Sequence, residues 1–318
     1  MADFEFNPET FDDRKILVRA ASALSRADEA ARRTDSFSGA IMRRHLRAEA
    51  IAIAGLEGHA VRTESLCRLI GNRDTSNLDR GTKLAADVYD ALLLSGKWGD
   101  GVPDAEAILE LFTTSDASSG RLMRPDLLWS LEEDASWLVQ EMASLAESPD
   151  PWAALDVVRR VWTSGRFQSC ARRLAMLTAP WMLSKGFELH ENAYGLAQRA
   201  RAGIDSFKDA GRIQDAWFMV AGAAVAEAGE AALRLIDDHK AERAALLAIC
   251  PPERTSSSVY AAVDFVMGTP VFTVKGLCDA IDLTPRGAKV VLDKMEEAGL
   301  LEVEGGSRNR NYVCRRTL

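Results

Sequence analysis

The sequence predicts a mainly α-helical protein: a large multi-helix bundle followed by a small C-terminal module of three short helices and a β-hairpin. Three observations carry this expectation. From about Asp28 to Cys250, apolar residues recur at helical spacing in a background rich in Ala, Leu, Glu and Arg. The run "CPPERTSSS" from Cys250 then stops the last long helix with two prolines and a polar stretch. Beyond it the texture shortens into capped helical segments and two strand-like runs.

A chain of 318 residues that is 47% hydrophobic and 27% charged has enough apolar mass to bury a sizeable core, in about two or three domains. The first residues, "MADFEFNPETFDD", are acidic and lack a basic stretch followed by an apolar run, so neither a signal peptide nor a transit peptide is expected. The most apolar segment, Ala216 to Ile236, is interrupted by Glu227 and Glu230 and reads as a bundle helix rather than a membrane span. A cytoplasmic protein with no membrane partner is the expectation.

Within the helical region, "SGAIMRRHLRAEAIAIAGLEG" places Ile41, Leu46, Ile51 and Leu56 on one broad face, with Arg43, Arg44, Arg47 and Glu49 off it. Breaks are expected at Gly71–Asn77, Ser95–Asp104, Thr113–Asp126, Glu147–Pro151 and Leu177–Pro180. They delimit about six to eight helices, the last running roughly from Ile204 to Ile249. Residues 1–250 are thus expected to form a helical dimerisation or regulatory domain, 251–258 a linker and 259–318 a second domain.

In that second domain "VYAAVDFVM" is a short helix, and Thr273 is placed to cap another from Val274 to Ala280. After the turn "DLT", Thr284 caps a third helix whose first position is Pro285, where the missing amide proton costs nothing. Gly299 is suited to the left-handed residue that ends it. "LLEV" and "RNYVCR" follow as two strands joined by "EGGSRN", with alternation at Leu301, Val303, Tyr312 and Cys314. Helix, helix, turn, helix, hairpin is the order of a winged helix-turn-helix.

Ala288, Val291, Leu292 and Met295 recur at three- and four-residue spacing and are expected to point inward with Leu277, Ile281 and Leu283. Arg286, Lys289, Val290 and Asp293 then face away, and Gly287 allows close backbone approach. Residues 254–318 carry nine Lys or Arg against eight Asp or Glu, about +1, leaving the rest of a chain of net charge -8 at about -9. From Gly305 onward there are four arginines and no acidic side chain. A hairpin that docks on phosphates accounts for such a run better than a loose tail. The expected DNA contacts are Thr284, Arg286, Lys289 and Lys294 on the helix, Arg308, Asn309 and Arg310 on the hairpin, and Arg315 beyond it.

Little else in the sequence carries chemistry. Cys67, Cys170, Cys250, Cys278 and Cys314 form no CxxC pair, and His45, His59, His190 and His239 have no metal-ligand spacing, so reduced thiols and no metal are expected. No GxGxxG, Walker loop, GxSxG or regular repeat occurs, and no cofactor or catalytic site is expected. Trp137, Trp152, Trp162, Trp181 and Trp217 are candidate core or interface anchors. Arg166, Arg172 and Arg173 beside an apolar run could hold an anion.

The tail from Phe272 to Cys314 resembles the winged-helix domains appended to Fic-type proteins, whose wing has the form "RNRxY". The stretch "LRAEAIAIAGLEGHAVRTESLCRLI" is similar to the N-terminal helix of those proteins, where "EAxxSSxIEG" precedes the catalytic core. The two likenesses cover about a third of the chain. They also resemble an uncharacterised bacterial family with a Fic-like N-terminal segment and a C-terminal helix-turn-helix. The resemblance implies a DNA-binding protein, and departures in the sequence remove the enzymatic part. The "HPFxxGNGR" loop of a Fic enzyme is absent, and Ile53 stands where an inhibitory helix has Ser or Thr. Glu57, which ends the likeness with Gly58, is therefore expected to be structural, either capping or pairing inside the bundle.

These readings converge on a sequence-specific DNA-binding transcriptional regulator, not an enzyme. Its expected partners are double-stranded DNA and a second copy of itself, with room for a small-molecule or protein effector. The alternative is a catalytically dead Fic-like scaffold that acts by protein–protein contact, as an antitoxin does.

Overall fold

The computed structural model describes residues 13–34, 38–72, 78–99, 101–118, 125–165, 170–192, 194–252, 258–305 and 310–318. They form a mainly helical structure with one small antiparallel sheet. Eleven helices come first: α1 (Asp13–Arg32), α2 (Ser38–Leu56), α3 (Thr63–Asn72), α4 (Arg80–Ser95), α5 (Ala105–Thr114), α6 (Pro125–Glu147), α7 (Pro151–Thr163), α8 (Ala171–Gly186), α9 (Leu196–Ala202), α10 (Ile204–Ala210) and α11 (Gln214–Ile249). The rest is α12 (Ser258–Gly268), β1 (Val271–Thr273), α13 (Val274–Ile281), α14 (Pro285–Glu297), β2 (Glu302–Glu304) and β3 (Asn311–Val313). None of the described helices is long and apolar enough to cross a membrane.

Local chemistry sets many of the helix starts. Asp79, Asp104 and Asp150 each accept a backbone N–H of the following turn, from Thr82 at 2.9 Å, Ala107 at 2.8 Å and Ala153 at 3.1 Å. Such caps are worth about 1 kcal/mol apiece. Four of the expected breaks fall between helices, and the fifth does not: α8 runs straight through Pro180. Packing overrides the proline, because α8 is buried on nearly every side, with Leu174, Met176, Leu177, Trp181 and Leu183 at 1% exposure or less. The helix expected from Ile204 is two helices, broken at Gly211–Ile213. With α1 starting at Asp13 and the short α9, the first 250 residues hold eleven described helices rather than six to eight.

The large core closes around α8 and the aromatic cluster of Trp162, Phe207 and Trp217, whose ring centroids lie 5.5–5.9 Å apart. Trp217 donates its indole N–H to the Leu155 carbonyl at 2.8 Å, so its burial leaves no orphan donor. Trp162, Trp181 and Trp217 belong to the core, and Trp137 and Trp152 pack partly buried against it. On α2, Arg47 and Glu49 were expected to lie off the buried face, yet they are 5% and 1% exposed. This helix is surrounded: α4 and α9 cover it on some sides and α12 on another.

Residues 258–318 build a second core from Val263, Phe265, Phe272, Leu277, Leu292, Met295 and Tyr312, joined by Ala40 of α2 and by Leu246 and Cys250 of α11. The sheet has three strands in the order β1-β3-β2, not the two of the expected hairpin. Val271, Phe272 and Thr273 pair with Val313, Tyr312 and Asn311, and the same β3 residues pair with Glu302, Val303 and Glu304. Phe272 stacks on Tyr312, with centroids 5.7 Å apart. A three-residue strand whose partner lies about forty positions later has no local period to announce it.

This C-terminal segment is seated on the helical body. A Cβ on Gly71 of α3 would lie 1.9 Å from the Val271 carbonyl oxygen, so only glycine admits β1 this close. Cys67 of α3 shares a small apolar cluster with Val271 and Val313. The buried guanidinium of Arg47 donates to the Gly268 carbonyl at the end of α12.

Candidate nucleic-acid interface

The surface centred on α14 is built from capping and burial. Thr273 accepts the Gly276 N–H at 3.1 Å and starts α13; Thr284 accepts the Gly287 N–H at 3.2 Å and starts α14, with Pro285 at its first position. Between them Asp282 takes the left-handed conformation, φ 51°, that turns one helix into the next. α14 stops where Gly299 adopts φ 71° and Leu300 N–H reaches back to the Met295 carbonyl at 2.9 Å.

Ala288, Val291, Leu292 and Met295 are all buried, as their spacing predicts, and clamp α14 onto the C-terminal core. The opposite side carries Arg286, Lys289, Val290 and Asp293, all exposed. Val290 is 65% exposed, an apolar side chain held in solvent on the same side of the helix as Arg286. Arg286 and Lys289 make no ion pair among the described residues. Thr284 is exposed but its hydroxyl oxygen is engaged as the cap, and Lys294 is half-buried on the same helix.

The basic end of the chain is arranged differently. Arg308 and Asn309 lie outside the described residues. Arg310 leans over the Tyr312 ring, 5.2 Å from its centroid, and pairs with Glu296 of α14 at 3.1 Å. Arg315 points away from α14, pairing with Glu302 at 3.0 Å, Glu304 at 3.0 Å and Glu64 of α3 at 3.1 Å. Arg68 completes the group by bridging Glu64, at 2.8 Å, and Glu304. The Arg68 and Arg315 guanidinium groups hold the Glu64 and Glu304 carboxyls below the usual carboxylate range. The structure therefore gathers Thr284, Arg286 and Lys289 at one end of α14, sets Arg310 beside its other end, and turns Arg315 toward the body.

Lys275 of α13 was not singled out from the sequence. It lines a shallow hollow of about 580 Å³ with Asp279, Asp282 and Pro285, next to the start of α14. A lone lysine after a capping threonine gives no signal by itself.

A second polar site lies in the body. Arg173 of α8, 3% exposed, pairs with Glu57 at 2.9 Å and with Asp116 at 3.2 Å, and donates to the Ser115 carbonyl. Glu57 thus pairs inside the bundle. The pair borders a cavity of about 730 Å³ whose wall also carries His59, Arg80 and Arg172, the last lying over the Trp162 ring. Of the three arginines expected to hold an anion, Arg173 is neutralised by carboxylates, Arg172 lines the cavity and Arg166 lies outside the described residues. No group of three or more His, Cys, Asp or Glu stands ready to hold a metal among the described residues.

Compared with known proteins, the sequence matches no family model and no curated protein significantly.

Proposed function

We propose that the chain is a cytoplasmic, sequence-specific DNA-binding transcriptional regulator that performs no chemistry of its own. In this reading residues 258–318 act as a winged helix-turn-helix, with α14 as the helix that enters the major groove. The observation that carries it is the outward side of α14. Its first turns present Arg286, Lys289 and Val290 to solvent, while Ala288, Val291, Leu292 and Met295 anchor the other side. Cations there suit guanine edges or phosphates, and the exposed apolar side chain beside them suits a thymine methyl. The order α12, α13, α14, then β2 and β3, and the likeness to winged helices appended to Fic-type proteins, support the same reading. A homodimer would present two such helices to two half-sites about one helical turn apart.

Selection of random duplex DNA by the purified chain tests it, with Arg286→Ala/Lys289→Ala as the comparison. A recovered motif that the double variant loses supports the reading. A folded chain that recovers no motif at low or moderate salt overturns it.

One observation favours a second reading, the Fic-like scaffold that grips a protein. Arg310 and Arg315 are already paired with glutamates, which lowers the positive field expected of a wing on DNA. Retention of a protein partner by a chain that fails the DNA selection would favour it.

A further inference from the structure

A cavity of about 310 Å³ opens between α1, α2, α11 and the residues Leu189, Glu191, Asn192 and Tyr194, with no residue of α14 in its described wall. Most of its wall is apolar, and where α1 faces α11 it carries small residues, Ala27 and Ala31 against Gly229 and Ala232, beside the larger Leu24 and Ile236. The helices cannot close over it. Gly229 already lies so near α1 that a Cβ there would come within 2.8 Å of the Ala23 carbonyl carbon. The void is thus held open by a backbone contact, with short side chains where longer ones would fill it. Its size is that of a small-molecule site.

Beside the neutral Thr34, Asn192 and Tyr194, the charged groups on the described wall are of one sign. Asp28 and Glu191 contribute carboxylates, and no Lys or Arg is among the described lining residues. The Asp28 side chain is 11% exposed; it accepts the Glu191 N–H at 2.9 Å, and its ionic partner is His190, an imidazole 63% exposed to solvent at 3.3 Å. On the α2 side of the wall, His45 makes no hydrogen bond among the described residues, and burial pushes its pKa down to about 4, so it meets an occupant as a neutral ring. Among the described lining residues an anion would find no Lys or Arg and two carboxylates against it. A cationic head would give Asp28 the charged partner that its burial calls for.

We propose that this cavity binds a small organic amine, its apolar body between α1 and α11 and its ammonium group on Asp28. The site stands independently of the DNA reading, because binding is measured on the chain alone. If that reading also holds, the occupant acts as an effector, since α2 and α11 carry Ala40, Arg47 and Leu246, on which the C-terminal segment sits.

Titration calorimetry of the full chain with three molecules of one shape tests the proposal: tryptamine, tryptophol and indole-3-acetate. Tryptamine is expected to bind about tenfold or more tighter than tryptophol, and indole-3-acetate weakest. Asp28→Asn keeps an acceptor for the Glu191 N–H and should erase the preference for the amine. Ala232→Phe fills the cavity and should abolish binding of all three, its folding checked by a cooperative melt. The proposal is overturned if none of the three binds, if indole-3-acetate binds as well as tryptamine, or if Asp28→Asn leaves the amine preference intact.

Discussion

Arg315, just beyond β3, sets its guanidinium 3.1 Å from the carboxylate of Glu64 on α3, 251 residues earlier in the chain. With Glu302 and Glu304 also within 3.0 Å, this arginine fastens the sheet to the helical body. Arg286 and Lys289 have no such occupation among the described residues.

On the proposed DNA-binding reading, that difference predicts how each cation reports on affinity. Arg286→Ala and Lys289→Ala should each flatten the dependence of log K on log salt by about one. Arg315→Ala should leave the slope unchanged, because its charge is spent on glutamates. Fluorescence anisotropy on a selected duplex across a salt series measures all three. A slope that falls for Arg315→Ala and holds for Arg286→Ala would invert the assignment.

Gly71→Ala forces a methyl group against the Val271 carbonyl, where the missing Cβ now gives 1.9 Å of clearance. The backbone atom it meets cannot rotate away, so β1 or α3 must shift. A loss of about 1–3 kcal/mol is expected, as for other overpacked sites. Urea denaturation measures it, and an unchanged midpoint would mean that β1 does not sit on α3 in solution.

Arg47→Met retains much of the side-chain volume and removes the donor to the Gly268 carbonyl. Leaving that buried acceptor without its charged donor should cost about 1.5–3 kcal/mol. Arg44→Met, whose partner Glu242 is on a more exposed face, should cost about 1 kcal/mol or less.

Glu49 gives the stability a distinctive pH dependence. Burial raises its pKa to about 7, although Gln198 Nε2 donates to it at 2.9 Å. Between about 4.5 and 7 the folded chain then holds a proton that the unfolded chain has released, so stability falls as pH rises through that window. His45 and His239, both lowered to about 4 by burial, act oppositely: stability falls as pH drops from 6.5 toward 4. Glu49→Gln should remove the first effect, on the order of 3 kcal/mol, and leave stability rising from pH 4 to 6.5. Urea midpoints against pH at constant ionic strength test this; a profile unchanged by Glu49→Gln would refute it.

Where local chemistry decides, the sequence was a good guide. α14 could be read because Thr284, Pro285 and Gly299 mark its ends and its apolar residues repeat at helical spacing. The outward position of Arg286, Lys289 and Val290 follows from the same period. Features decided by distant residues were not legible. β1 exists because Val271 meets Val313, and Pro180 continues a helix because α8 is enclosed by its neighbours. The run of arginines at the end reads as a free basic patch, and nothing near Arg315 announces that Glu64 will claim it. Asp28 gave no sign of a site, since the wall around it comes from helices some two hundred residues apart.

α11 runs without interruption for 36 residues, about 54 Å of helix. Its first half lies along α1, where Gly222 and Gly229 set the contact, and its last turn delivers Leu246 and Cys250 into the C-terminal core. The part beyond those glycines is a lever arm of roughly 35 Å: a tilt of about one degree there would swing a free far end by about 0.6 Å. Because α2 and α3 also hold the segment beyond Cys250, a change at that crossing reaches it as strain on the Arg47, Gly71 and Glu64 contacts.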